Sequence, residues 1–125
     1  MKIERSGDCG NSPKNLFAEE VTIALAKRDA RALGDRVTDD VCWRTVGGTS
    51  VHGKQAFIEA IEALQREPIA RLSITHVLNH GRAAAVNGVV EDARGRFADF
   101  CNVYEFGSLK GNSMKTITAY VIERA

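Results

Sequence analysis

His52 stands immediately before Gly53, where the sequence opens a helix. The positive end of a helix disfavours a further positive charge, so a neutral imidazole is expected there, able to accept or donate a proton. Trp43, the only tryptophan, offers a flat apolar wall with a single donor, suited to a ring or acyl group. In the run Asp99 to Phe106, strand alternation puts Phe100, Asn102, Tyr104 and Phe106 on one face. An amide and a phenol between two rings can polarise a substrate oxygen. In the last apolar run Thr118 and Tyr120 share a face with Thr116 and Ile122. The candidate ligand-binding residues are therefore Trp43, His52, Asn102, Tyr104, Thr118 and Tyr120, with His52 and Tyr104 as the candidate catalytic pair. Asn87 is a further polar group whose face the alternation leaves open.

Other groupings carry less. Gly48 to Lys54 matches the Gly-x4-Gly-Lys of a phosphate loop, but Gln55 replaces the Ser or Thr that holds magnesium. A hairpin followed by a helix start explains the segment better. His76 and His80 lie in a strand-and-turn segment, where four residues span about 13 Å, too far for one ion. Cys9 has Asp8 beside it, which opposes a reactive thiolate, and Cys42 and Cys101 read as small core residues. Asp39-Asp40 lies at a connection and is expected to face solvent. Nothing in these residues requires a metal or a cofactor.

The elements that must position these groups are legible. Residues 1–12 are polar and glycine-containing and read as an N-terminal arm; residues 13–125 read as a single domain. Ser12 can cap a helix that Pro13 begins, with Leu16, Phe17, Val21, Ala24 and Leu25 at helical spacing and Glu19 away from them. Asp29 can cap a second, short helix running to about Val37. Val41 to Val46 is a strand, Gly47-Gly48 a turn, and 49–52 a return strand. A third helix follows Gly53 and stops before Pro68. Four long strands over 70–78, 83–91, 96–106 and 113–123 complete the chain, joined by turn signals that imply antiparallel pairing. Helices segregated from strands give the α+β class, with about six strands and three helices on one face. A sheet that curls over helices leaves a cavity fit for a small ligand.

The 125 residues amount to one domain, with 44% hydrophobic and 26% charged residues. Seventeen basic against sixteen acidic residues give a charge of +1, without the footprint of a nucleic-acid binder. No apolar run is long enough to span a membrane. The first ten residues contain no apolar stretch, so no secretory leader is expected. Three widely spaced cysteines point to a reducing, cytoplasmic setting.

The chain resembles the nuclear transport factor 2-like superfamily, which includes SnoaL-like and ketosteroid-isomerase-like proteins. The resemblance spans about residues 13–124. It is carried by Asp39-Asp40-Val41-Cys42-Trp43, by Val51-His52-Gly53-Lys54-Gln55-Ala56-Phe57, by Phe100-Cys101-Asn102-Val103-Tyr104-Glu105-Phe106 and by Ile117 to Ile122. It implies a cone-shaped fold with a cavity, whose border includes the corner that holds His52. Many members carry an Asp before the Val-Tyr-x-Phe stretch. Here that place holds Asn102, and an amide is no carboxylate base. The resemblance and the two-sided apolar strands together imply a homodimer through the sheet. The leading expectation is a binder of a small hydrophobic molecule. The alternative is a cofactor-independent isomerase, dehydratase or hydrolase with His52 as proton carrier and Tyr104 or Asn102 polarising the substrate.

Overall fold

Ser12 and Pro13 start the first helix as their chemistry dictates. In the computed structural model, which describes residues 1–125, Ser12 Oγ accepts a hydrogen bond from the Asn15 amide at 3.2 Å. Pro13 is the first residue of α1 (Pro13–Lys27). The helix ends at Arg28, which adopts a left-handed backbone (φ 55°) and donates its amide to the closing carbonyls. Asp29 caps α2 (Ala30–Gly34), and α3 (Lys54–Glu62) follows Gly53. The second helix is shorter than the sequence suggests. Gly34 closes it where α2 packs on α3, and a β-carbon there would lie 3.2 Å from Ile58. Val37 accordingly begins a strand rather than ending a helix.

Seven strands form one sheet: β1 (Lys2–Glu4), β2 (Val37–Thr45), β3 (Ser50–His52), β4 (Ile69–His80), β5 (Ala83–Asp92), β6 (Phe97–Phe106) and β7 (Met114–Glu123). Their order is β1-β4-β5-β6-β7-β2-β3. The long hairpins β4–β5, β5–β6 and β6–β7 are antiparallel, as the turn residues require. Two pairings are parallel, β1 with β4 and β2 with β7, so the sheet is mixed and has one strand more than expected. The extra strand lies in the N-terminal segment, where Ile3 packs against the core.

Two of the four register shifts in the sheet bear on its shape. The β4–β5 ladder shifts register between Ile74 and His76, where the Asn87 side-chain oxygen accepts the His76 amide at 3.0 Å. Asn87 thus faces outward and serves the bulge. The β2–β7 ladder shifts between Val37 and Cys42, and Asp39 and Asp40 project to solvent there. Bulges of this kind sharpen strand bending, and the bent sheet wraps α1, α2 and α3 on one face. Val21, Leu33, Phe57, Leu72, Val86 and Ile117 fill the space between.

Glu19 departs from the amphipathic reading of α1. It is buried, its side chain 2% exposed, because the N-terminal segment folds over it: Arg5 donates to its carboxylate at 3.1 Å and Ser6 at 3.3 Å. Leu16, placed in the apolar stripe by spacing, is instead 41% exposed. No helix is long and apolar enough to cross a membrane.

Candidate functional site

Period-two alternation on the inner face of the sheet brings one residue from each strand to a common depth. Gly88 of β5 pairs with Phe100 of β6, which pairs with Val121 of β7; one step along, Val86 pairs with Asn102 and Asn102 with Ala119. Gly88 permits the close approach of β4, since a β-carbon there would stand 2.1 Å from the Ser73 carbonyl oxygen. Over this surface lies the last turn of α1. Between them is a half-open cavity of about 100 Å³. Its lining is apolar apart from Thr22, Asn102 and Arg66; Trp43, Ile61, Leu72 and Phe100 supply its larger walls. Trp43 is held edge-on against Phe57, with ring centroids 5.5 Å apart at 88°.

At the floor the bond from Thr22 to the Ala18 carbonyl sets the direction of a hydrogen-bond chain. Thr22 Oγ1 donates to the Ala18 carbonyl at 2.9 Å, which can only accept. Thr22 and Tyr104 lie 2.6 Å apart, so the single phenolic proton of Tyr104 goes to Thr22. The Tyr104 oxygen is then an acceptor, and Asn102 presents its Nδ2 to it at 3.2 Å. This leaves Asn102 Oδ1 with no hydrogen bond from the protein, in a residue that lines the cavity. Burial pushes the Tyr104 phenol up to about 12, against the opposing pull of its hydrogen bonds to Thr22 and Asn102.

The structure separates the residues singled out by sequence. Trp43 and Asn102 line the cavity together. Tyr104 is fully buried behind Thr22 and Asn102, so it sets their orientation and does not reach a ligand. His52 faces the other way. It pairs with Cys42 on β2, while Val51 pairs with Trp43, so alternation sends His52 to the outer face of the sheet, where it is exposed. A mechanism joining His52 to Tyr104 is therefore excluded by the sheet between them. Thr118 and Tyr120 are also outward. Their register partners are Val103 and Cys101, whose side chains oppose the inward Asn102 and Tyr104, and Tyr120 is 45% exposed. The inward residues of β7 are Ile117, Ala119 and Val121, the smaller-looking half of that strand's pattern.

Thr22 and Arg66 were missed by sequence reading. Thr22 belongs to the buried stripe of α1, at i+4 from Ala18, and could have been found by extending that stripe to polar residues. Arg66 lies in an irregular connection, which no periodicity places. Elsewhere, Lys54 of the phosphate-loop-like segment pairs with Asp39 at 3.3 Å, and Gly47-Gly48 make a hairpin turn. All three cysteines are free; burial and the Glu19 carboxylate push the Cys9 thiol up, away from thiolate chemistry. Nowhere do three His, Cys, Asp or Glu side chains converge as a metal site requires.

The profile of the SnoaL-like domain family matches residues 17–110. None of the curated proteins matches the chain. Among solved structures, an NTF2-like protein of unknown function from Cytophaga hutchinsonii is similar at 24% identity. The match covers 87% of this chain and 99% of that one, with a TM-score of 0.70. An NTF2-like protein of unknown function from Burkholderia xenovorans matches at 16% identity over 94% and 88% of the two chains, with a TM-score of 0.74. An LEH-like epoxide hydrolase from M. tuberculosis matches at 15% identity over 86% and 81%, with a TM-score of 0.70. These likenesses show a common fold.

Proposed function

The chain belongs to the SnoaL-like domain family, and from that premise we propose that it binds a small, mostly apolar molecule in the cavity without transforming it. One observation carries this reading. The lining contains no Asp, Glu, His, Cys or Lys, and so no group suited to general acid–base or nucleophilic work near neutral pH. Tyr104, the nearest phenol, is held protonated by burial. What remains is an apolar wall around Trp43 and, on Asn102, an acceptor for a ligand hydroxyl or amine. A cavity of about 150 Å³ lined by apolar residues holds benzene. The present one, at about 100 Å³, takes part of a ring-sized body, with the remainder at the open mouth.

The test is a thermal-shift screen of ring-sized compounds, followed by mass analysis of each compound after incubation. At about ten times its dissociation constant a ligand adds roughly 1.4 kcal/mol, a rise of a few degrees. Wild-type protein is expected to show such rises and to return each compound unchanged. Ala26→Leu, which fills the cavity from the end of α1, is expected to lose them. Chemical conversion of a bound compound overturns the binder reading. Equal stabilisation of wild type and Ala26→Leu removes the cavity as its seat.

A second reading concerns assembly. All three helices cover the inner face, so the outer face of β6 and β7 has no cover from its own chain. It carries Val103, Tyr120 and Ile122, the last 71% exposed. A second copy placed face to face would bury them, and we propose a homodimer through this sheet.

A further inference from the structure

Arg66 is the one charged side chain that lines the cavity. It stands at the mouth, in the connection between α3 and β4. Seven ion pairs tie up arginines and lysines of this chain, and Arg66 is in none of them. Its nearest acidic neighbour in sequence, Glu67, is taken by Arg94 at 3.2 Å. Its closest charged influence is a second cation, Arg28, and partial desolvation together with that repulsion pushes the guanidinium down from its ordinary value. Even so, an arginine lowered from such a height stays charged at neutral pH.

The position of Arg66 is fixed by the same Arg28. The left-handed Arg28 backbone ends α1, and its half-buried side chain donates to the carbonyls of Arg66 and Glu67 at 2.6 and 2.8 Å. A strained residue is thus used to anchor the connection that carries the unpaired cation. The anchoring bonds go to backbone carbonyls and neutralise neither charge.

Beyond Arg66 the cavity continues into an outer void of about 190 Å³, which shares Arg66, Ile69, Val90 and Val121 with it. The outer void contains acids as well. Asp92 is paired with Arg96 at 2.9 Å, Glu67 with Arg94, and Glu123 lies at the exposed end of β7, lining the outer void only. Arg124, the remaining cation there, is paired with Asp99 at 2.8 Å. The single charge shared by both voids and left without a counter-ion is Arg66.

Resting on the binding reading above, we propose that the ligand is a small organic acid. Its apolar body lies among Trp43, Leu72 and Phe100, and its carboxylate pairs with Arg66 at the mouth. The planar guanidinium matches a carboxylate with two parallel hydrogen bonds. Arg66 itself is exposed, so the pair forms at the solvent boundary while Leu25, Leu64 and Ile69 continue the apolar lining inward.

The test uses two probes of nearly equal shape, phenylacetate and 2-phenylethanol, titrated by Trp43 fluorescence into the full chain. The wild type is expected to bind the acid about tenfold more tightly than the alcohol, the scale of a charge-assisted hydrogen bond. Rising sodium chloride is expected to weaken the acid and leave the alcohol nearly unmoved. In Arg66→Gln the acid-to-alcohol ratio falls to near one, and Arg66→Lys recovers part of it. Circular dichroism confirms the fold of each variant. Equal affinity of wild type for the two probes, or a preference that survives Arg66→Gln, overturns the acid inference while the cavity reading stands. If neither probe perturbs Trp43 and neither raises the melting temperature, the cavity reading fails and the acid inference with it.

Discussion

Tyr104 has one proton to give, and Thr22 is positioned to take it. That fact fixes the orientation of Asn102 and leaves its carbonyl oxygen for the cavity. One prediction follows from the burial of this phenol and one from the direction of the chain. The Tyr104 phenol is raised from 10 to about 12, so the native state keeps its proton where the unfolded chain has lost it. Its contribution is whole below pH 10 and is lost as pH rises toward 12, at roughly 1.4 kcal/mol per pH unit. Chemical denaturation across that range should show the decline in wild type. Tyr104→Phe, less stable by about 1 kcal/mol at neutral pH, should show less of it. Asn102→Asp puts a carboxylate where the neighbouring oxygen is an acceptor. It should destabilise the protein at pH 7 by about 2–3 kcal/mol relative to wild type. The buried carboxyl would be raised above its unfolded value, so the deficit should shrink as pH falls through that raised value. A deficit that is flat with pH would show that the chain runs the other way. At this scale the sequence was half legible. Alternation put Asn102, Tyr104 and Phe100 on one face correctly, and Trp43 on the cavity side. On β7 it chose the face of Thr118 and Tyr120, which the register turns outward, because both faces of that strand are partly apolar. It also could not see that His52 pairs with Cys42 and so points away.

At the scale of elements, helix α1 and the three long hairpins follow from caps, turns and periodicity with few surprises. The parallel pairings do not, because β1 with β4 and β2 with β7 join segments distant in sequence, which no local signal connects. The N-terminal strand is three residues long, too short for a period to be read. Its attachment depends on Glu19, which the polar label of the residue conceals. Arg5→Met should therefore cost about 1–2 kcal/mol, since it leaves a buried carboxylate without its cation. Adding Glu19→Gln should recover part of that loss. Urea titrations of the two singles and the double would expose the coupling, and strict additivity would show that the contact is idle. Gly88 is the tightest point between elements. Gly88→Ala drives a methyl into the Ser73 carbonyl and against Phe100, at a cost of at least about 3 kcal/mol, and should open the cavity wall if the protein still folds.

The whole molecule presents two unlike sheet faces. The inner face closes on the helices and leaves the cavity; the outer face carries exposed Val103, Tyr120 and Ile122. If a second copy covers that face, Ile122→Lys should shift native mass spectra from dimer to monomer. A wild-type monomer at micromolar concentration would contradict the dimer and leave the cavity account untouched. The family resemblance and the α+β class were legible in the order of elements, whereas the proposed ligand class rests on which charges find partners.

The central claim, that a small molecule enters between Trp43 and Asn102, is tested most directly by nitrogen–proton correlation spectra of labelled protein titrated with phenylacetate. Two side-chain signals report from inside the cavity, the Trp43 indole N–H and the Asn102 amide, and Phe100, Leu72 and Val90 report through their backbones. The account predicts saturable shifts concentrated on these residues, with Cys101, Val103, Tyr120 and His52 on the outer face unmoved. Shifts confined to the outer face, or none at any residue up to millimolar probe, would contradict it.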